Sequence, residues 1–139
     1  MKNTDDLRQE LMESPDLERF LSDNEKNFVS DDVNELLNRL FRERGVTKAE
    51  LAKLSGMSEV YLHQVFSGRR KASRARLICL CCGLRADIDS AQELLRKSGY
   101  AELYAKDRHD AVILYGLAND LDIFAINDML YKENEETLF

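Results

Sequence analysis

The chain has 139 residues, 44% hydrophobic and 33% charged, with one proline, six glycines and a net charge of −6. No apolar run approaches the roughly eighteen residues of a membrane span, and so few prolines and glycines argue against a β-sandwich with many tight turns. Overall acidity speaks against a nucleic-acid partner, but the charge is unevenly placed: residues 1–30 carry −4, residues 31–86 carry +5 and residues 87–139 carry −7. A basic centre between acidic flanks says more about partners than the total does.

The pattern is helical nearly throughout. The opening Met1-Lys2-Asn3-Thr4-Asp5-Asp6 lacks the apolar stretch of a signal peptide, and Leu7 and Leu11 follow one helical turn apart. Ser14-Pro15 reads as a helix start, with Ser as N-cap and Pro in the first turn. Leu17, Phe20 and Leu21 then form one face, and Asp23-Asn24 closes the helix. This N-terminal segment is expected to wrap the core through Leu17, Phe20, Leu21 and Phe28.

Residues 31–44 give the clearest amphipathic signal. Asp31 or Asp32 suits the cap, and Val33, Leu36, Leu37, Leu40 and Phe41 fall on one stripe. Arg42 and Arg44 complement the helix C-terminus, and Gly45 ends it. Thr47-Lys48-Ala49-Glu50 has the form of a capping box opening a helix that stops at Gly56. Ser58 caps the next helix, which runs to Phe66 before Gly68. Ser73 caps another that Gly83 is expected to end, and Asp89 or Ser90 begins one that closes near Gly99. Residues 107–119 and 122–132 form the last two helices. Ala111, Ile113, Leu114, Leu117 and Ala118 face inward from one, and Phe124, Ile126, Met129 and Leu130 from the other. Glu133–Phe139 is expected to fray. The fold class is therefore all-α, with an N-terminal extension at 1–30, a central module at 31–86 and an acidic helical region at 87–139.

Three cysteines crowd into Cys79, Cys81 and Cys82, too close for a disulfide framework. They read as small buried hydrophobes and point to a reducing, cytoplasmic setting. His63 and His109 are the two histidines, neither close in sequence to the cysteines, so no metal site is expected. No Gly-rich phosphate loop, H-E-x-x-H or G-x-S-x-G stands in the sequence. The reading is of a protein that is not an enzyme and uses no cofactor.

The helices at 48–55 and 59–66, joined by Gly56-Met57-Ser58, meet the requirements of a helix-turn-helix. Ala52 is the small residue at the crossing, Gly56 tolerates a positive φ in the turn, and Leu51, Leu54, Met57, Leu62 and Val65 pin the pair to a core. Glu59, Val60, Tyr61, His63 and Gln64 are then expected to face outward toward a major groove. Arg69-Arg70-Lys71, with Arg74 and Arg76 behind them, is the densest basic cluster and suits phosphate. Ser58 has a hydroxyl to offer a base or phosphate, Gln64 the groups to pair with adenine, and Glu59 an acceptor for cytosine.

The run from Thr47 to Ser58, followed by Tyr61-Leu62-His63-Gln64-Val65-Phe66-Ser67-Gly68-Arg69-Arg70-Lys71, resembles the five-helix module of the phage-repressor-like (XRE-type) DNA-binding family across residues 31–86. The resemblance implies phosphate contacts from Thr47 and Lys48 at the start of the first motif helix. It implies base reading by Ser58, Glu59, Val60, Tyr61, His63 and Gln64, and a backbone grip by Ser67, Arg69, Arg70 and Lys71. Two positions depart from the family pattern: Phe66 stands where many members have an acid, and Ala72 where many have a proline. An added core contact and a protein-docking aromatic are both open to Phe66.

The implied function is sequence-specific, repressor-like regulation of transcription in bacteria or phage, by a homodimer on double-stranded DNA. The acidic region at 87–139 suits dimerisation or a protein partner. Asp107, Asp110, Asp120, Asp122 and Asp128 would repel phosphate from its own helical pair. Tyr100, Tyr104, Tyr115 and Tyr131 are expected to pack between helices. A different class of function keeps the same fold as a protein-interaction adaptor or antitoxin-like module with little DNA binding.

Overall fold

A computed structural model describes residues 3–24 and 30–139, with the side chains of 30–32 left aside. The described residues form nine α-helices and no strand. These are α1 (Thr4–Glu13), α2 (Leu17–Asp23), α3 (Ser30–Arg44), α4 (Lys48–Ser55), α5 (Glu59–Phe66), α6 (Arg74–Leu84), α7 (Ile88–Lys97), α8 (Arg108–Ala118) and α9 (Ile123–Lys132).

Local chemistry sets most of the helix starts. Asn3, Asp16, Thr47, Ser58, Ser73, Asp87, Asp107 and Asp122 each turn a side-chain oxygen onto a backbone N–H of the following first turn. Two of these caps differ from expectation. Asp16, rather than Ser14, caps α2, while Ser14 closes α1 and donates its hydroxyl to the Asp16 carbonyl. Asp87, rather than Asp89 or Ser90, caps α7. A carboxylate directly before the first turn accepts from the N–H three residues on, and Ser90 supplies that N–H. The cap expected at Asp31 or Asp32 is corrected, since α3 already begins at Ser30 and both lie within its first turn, while the packing proposed for Phe28 lies outside the described residues.

A single apolar cluster runs from Leu36 on α3 to Leu138 beyond α9. Its centre is α6, where every residue from Leu77 to Leu84 is buried. The helix is apolar all round because α4, α7 and α9 pack on it from different sides. Gly83 does not end α6. It lies within the helix, where a β-carbon would come 3.0 Å from Leu51 Cδ1 and 3.3 Å from the Ser55 backbone nitrogen. Gly83 thus allows α4 and α6 to touch, and Arg85, in the left-handed region at φ 51°, ends the helix.

Four further expectations are corrected at the periphery. Leu17 and Leu21 are exposed and Phe20 alone of that face is buried, as α1 and α2 pack on each other. Tyr104, Tyr115 and Tyr131 are exposed; Tyr100 is the half-buried one, donating its hydroxyl to the Ala72 carbonyl at 2.7 Å. The last residues are not frayed: Leu138 is buried, and its N–H donates to Asn127 Oδ1 at 2.7 Å. Phe124, expected inside, is exposed but meets the Phe139 ring edge-on at 5.9 Å, while Ile123 takes the interior position.

Cys79, Cys81 and Cys82 are buried and unbridged, as anticipated. Burial pushes the Cys79 thiol up to about 11 even though the Arg76 charge pulls the other way. Burial, with Cys79 beside it, takes Cys82 to about 12, and burial moves Cys81 upward as well. The native protein is therefore expected to resist iodoacetamide at mildly alkaline pH, and to expose three reactive thiols on unfolding. Thiol titration with and without denaturant checks this. Fast labelling of the folded chain would show that α6 opens.

Candidate nucleic-acid interface

The α4–α5 pair is built as its sequence suggests. The Thr47 hydroxyl accepts from the Glu50 N–H at 3.1 Å and sits 3.2 Å from Glu50 Oε1, to which it donates. Gly56 ends α4 in the left-handed region at φ 71°, where glycine carries no Cβ penalty. Leu51, Ala52, Leu62 and Val65 are buried, and Leu54 and Met57 are half-buried. Ser55 is buried too, and its hydroxyl is returned to the Leu51 carbonyl at 2.7 Å.

The outer surface of α5 is narrower than expected. Glu59, Val60 and His63 are exposed, with Val60 at 68%, and Gln64 lies at the edge. Ser58, at the head of the helix, is exposed and accepts from the Tyr61 N–H. Tyr61 is corrected: its side chain is only 6% exposed. Tyr61, Leu62, Val65 and Phe66 form the inward stripe at i, i+1, i+4 and i+5 of this eight-residue helix. The Tyr61 ring carries Arg76 over it at 4.4 Å and Arg70 at 5.1 Å. Tyr61 therefore supports two cations and does not stand on the face that would meet a base. His63 Nε2 lies 3.6 Å from Glu59 Oε1, one turn back.

Phe66 resolves to the core reading. It is buried and meets Phe41 edge-on at 5.4 Å. Lys48 places its ammonium over both rings, at 5.0 Å from Phe41 and 4.9 Å from Phe66. The charge is thus held by aromatic faces rather than by a carboxylate. Thr47 is exposed beside it, with its hydroxyl proton committed to Glu50.

The loop after α5 is organised by the backbone of Gln64. Its carbonyl accepts from the Arg69 N–H at 3.0 Å, the Arg70 N–H at 3.2 Å and the Ser67 hydroxyl at 3.1 Å. Its side-chain Oε1 lies 3.5 Å from Arg70 Nη1. Gly68 takes a positive φ of 81° and passes so close to Asn34 that a β-carbon would meet Asn34 Nδ2 at 2.6 Å. Lys71 is held over the Tyr100 ring at 4.8 Å. The ion pairs among the described residues do not involve Arg69, Arg70, Lys71 or Arg76. Ser67, Arg69, Arg70 and Lys71 are all exposed.

Arg74 is withdrawn from this cluster. Its guanidinium reaches Asp110 Oδ2 at 3.1 Å and the carbonyls of Ala101 and Glu102. Asp110 is buried and also accepts from the Tyr104 N–H at 3.0 Å. Desolvation works against the charged carboxylate, but the bonds from Arg74 and Tyr104 and the Arg74 charge outweigh it, and the Asp110 pKa falls below its ordinary 3.8. Asp107 and His109 stand close to Asp110, and these three side chains have donor atoms near enough to share an ion. Each is otherwise engaged: Asp107 caps α8, His109 Nε2 meets the Glu136 carbonyl, and Asp110 holds Arg74.

Asn34, Tyr61 and Tyr100 are the contributors that sequence reasoning did not assign to the basic loop. An asparagine facing a glycine, and two tyrosines under cations, belong to α3, α5 and the stretch after α7, and have no local spacing to link them. Among the described residues, no helix is long and apolar enough to cross a membrane.

Residues 35–94 match the family model described as a helix-turn-helix domain. No curated protein and no solved structure matches the chain. The matched stretch takes in most of α3, all of α4, α5 and α6, and α7 as far as Leu94. These residues form a helix-turn-helix domain, in keeping with the resemblance drawn from Thr47 to Lys71.

Proposed function

We propose that the protein is a DNA-binding transcriptional regulator of the repressor-like type, with α5 in the major groove and the loop at 67–71 on the phosphate backbone. The observation that carries this reading is the exposed face of α5 standing beside cations that no carboxylate among the described residues pairs with. Lys and Arg placed this way release counterions from DNA and position the helix, while side chains of α5 supply base contacts. Glu59, Val60, His63 and Gln64 are the readers this reading assigns, with Ser58, Thr47 and Lys48 toward the backbone. No catalytic step and no cofactor are invoked.

The regulator is read as a homodimer that spans two half-sites about one helical turn apart. Exposed Tyr115, Phe124 and Tyr131 on α8 and α9 support an apolar self-contact. The same exposed aromatics favour the second reading, in which this acidic region docks a protein partner.

Selection from a random duplex pool, followed by titration across salt concentrations, tests the proposal. An enriched site and a steep loss of affinity with salt are expected. No enrichment together with no affinity at low salt would overturn it. Gln64→Ala is expected to relax preference at one base position, costing about 1–3 kcal/mol on the preferred site. Competition between base variants reads this, and a uniform loss across all bases would instead mark Gln64 as an organiser of the loop.

A further inference from the structure

Next to the basic loop lies a cavity of about 480 Å3, walled by the start of α3, the loop at 68–72 and the end of α7. That volume is in the range that holds small organic ligands. Leu37, Val65 and Leu77 give it an apolar floor, and Arg70, Lys71, Arg96 and Lys97 stand at its rim. Two of these cations are already paired: Arg96 with Glu102 at 3.7 Å and Lys97 with Glu93 at 3.3 Å. Arg70, over the Tyr61 ring and 3.5 Å from Gln64 Oε1, and Lys71, over the Tyr100 ring, meet neutral partners that fix their positions without cancelling their charge.

Ser98 supplies a second, independent observation. It closes α7 and lines the same cavity, and it is only 7% exposed. Its hydroxyl is buried with no hydrogen-bond partner among the described residues. Buried polar groups are nearly always partnered, so a donor left alone on a cavity wall marks a place for an acceptor. An unpartnered hydroxyl donor beside two cations calls for an anion. The apolar floor below calls for a body that water would not solvate well.

We propose that this cavity binds a small organic anion with an apolar body, of the short acyl or aryl carboxylate class. The carboxylate pairs with Arg70 and Lys71 and accepts from Ser98 Oγ, and the apolar body lies over Leu37, Val65 and Leu77. Arg70 and Lys71 also belong to the loop assigned to the DNA backbone. An occupied cavity therefore competes for the same two charges and weakens DNA binding. This coupling rests on the proposed function, whereas the site itself does not.

Calorimetric titration of the full chain with octanoate tests the site, with 1-octanol and inorganic phosphate run in parallel. Octanoate is expected to saturate at one molecule per chain with a Kd of about 1 mM or tighter. Arg70→Ala and Ser98→Ala are each expected to weaken it about tenfold, with thermal melts confirming that both variants fold. Lack of saturation up to about 10 mM overturns the site. So does octanol or phosphate binding as tightly as octanoate, or variants that bind like the parent chain. The coupling is tested separately, by repeating the DNA titration with octanoate at saturation. A severalfold loss of DNA affinity is expected, and an unchanged affinity overturns the coupling alone. Because the octanoate titration contains no DNA, it decides the site whether or not the chain binds DNA.

Discussion

Asp110→Ala is expected to lower the unfolding free energy by about 2–4 kcal/mol, the largest stability loss foreseen for a single side chain. The carboxylate is buried and joins three segments: α6 through Arg74, the 101–104 stretch through the Tyr104 N–H, and its own helix α8. Removing it leaves the Arg74 guanidinium and a backbone N–H without their acceptor, and a charge stripped of its partner costs more than the pair contributes. Arg74 is partly exposed, so water recovers some of this, and the loss falls short of a fully buried pair. Urea unfolding followed by circular dichroism measures the change. A shift within error of the parent chain would sink the account.

The same carboxylate makes a signed pH prediction. Its folded-state pKa lies below the ordinary 3.8, so its contribution is fully present above that value and is lost as pH falls through the folded pKa. The acid limb of a stability profile is therefore expected to be shallower in Asp110→Asn than in the parent chain, whereas the profile above neutral pH is unchanged.

The Arg69→Ala, Arg70→Ala double variant is expected to lose about ten- to a hundredfold in DNA affinity at moderate salt. The loss should be alike on preferred and random duplexes, because phosphate contacts carry no sequence information directly. The slope of log affinity against log salt is expected to fall by about two, one for each phosphate contact removed. Both side chains are exposed, so the fold survives and the thermal midpoint moves little. Unchanged affinity and slope would show that the basic loop does not touch DNA. A loss confined to the preferred site would move these arginines from the backbone to the bases.

How much of this was legible in the sequence depends on the range of each interaction. The α4–α5 unit was readable because its signals are local: Thr47 three residues before Glu50, Gly56 at the turn, Ser58 three before Tyr61. Each is satisfied within its own helical turn. The stripe from Val33 to Phe41 was readable for the same reason, since helical period is local. What escaped was set between elements. Gly83 looked like a stop because glycine often ends helices, yet here it makes room for Leu51 and Ser55 of α4. Arg74 looked like a member of the basic cluster, and an acid thirty-six residues later takes it. Tyr61 looked outward because Leu62 and Val65 were the positions given to the core, but its ring turns in beneath two arginines. The last residues carried only Leu138 and Phe139 as apolar signal, too little for a periodic pattern. Their docking depends on Asn127 and on the open turn at Gly56, where a β-carbon would meet the Phe139 ring at 2.6 Å.

That docking has a consequence for how the molecule is made. Leu36 and Leu138 belong to one apolar cluster, so the core joins the third helix to the last few residues. A chain emerging from the ribosome presents α3 to α6 long before Leu138 can join the same cluster, and the turn at Gly56 stays open until Phe139 arrives. Assembly of the complete core thus waits for Leu138 and Phe139, which close over surface already in place. Until then the nascent chain carries exposed apolar area that a chaperone would be expected to hold.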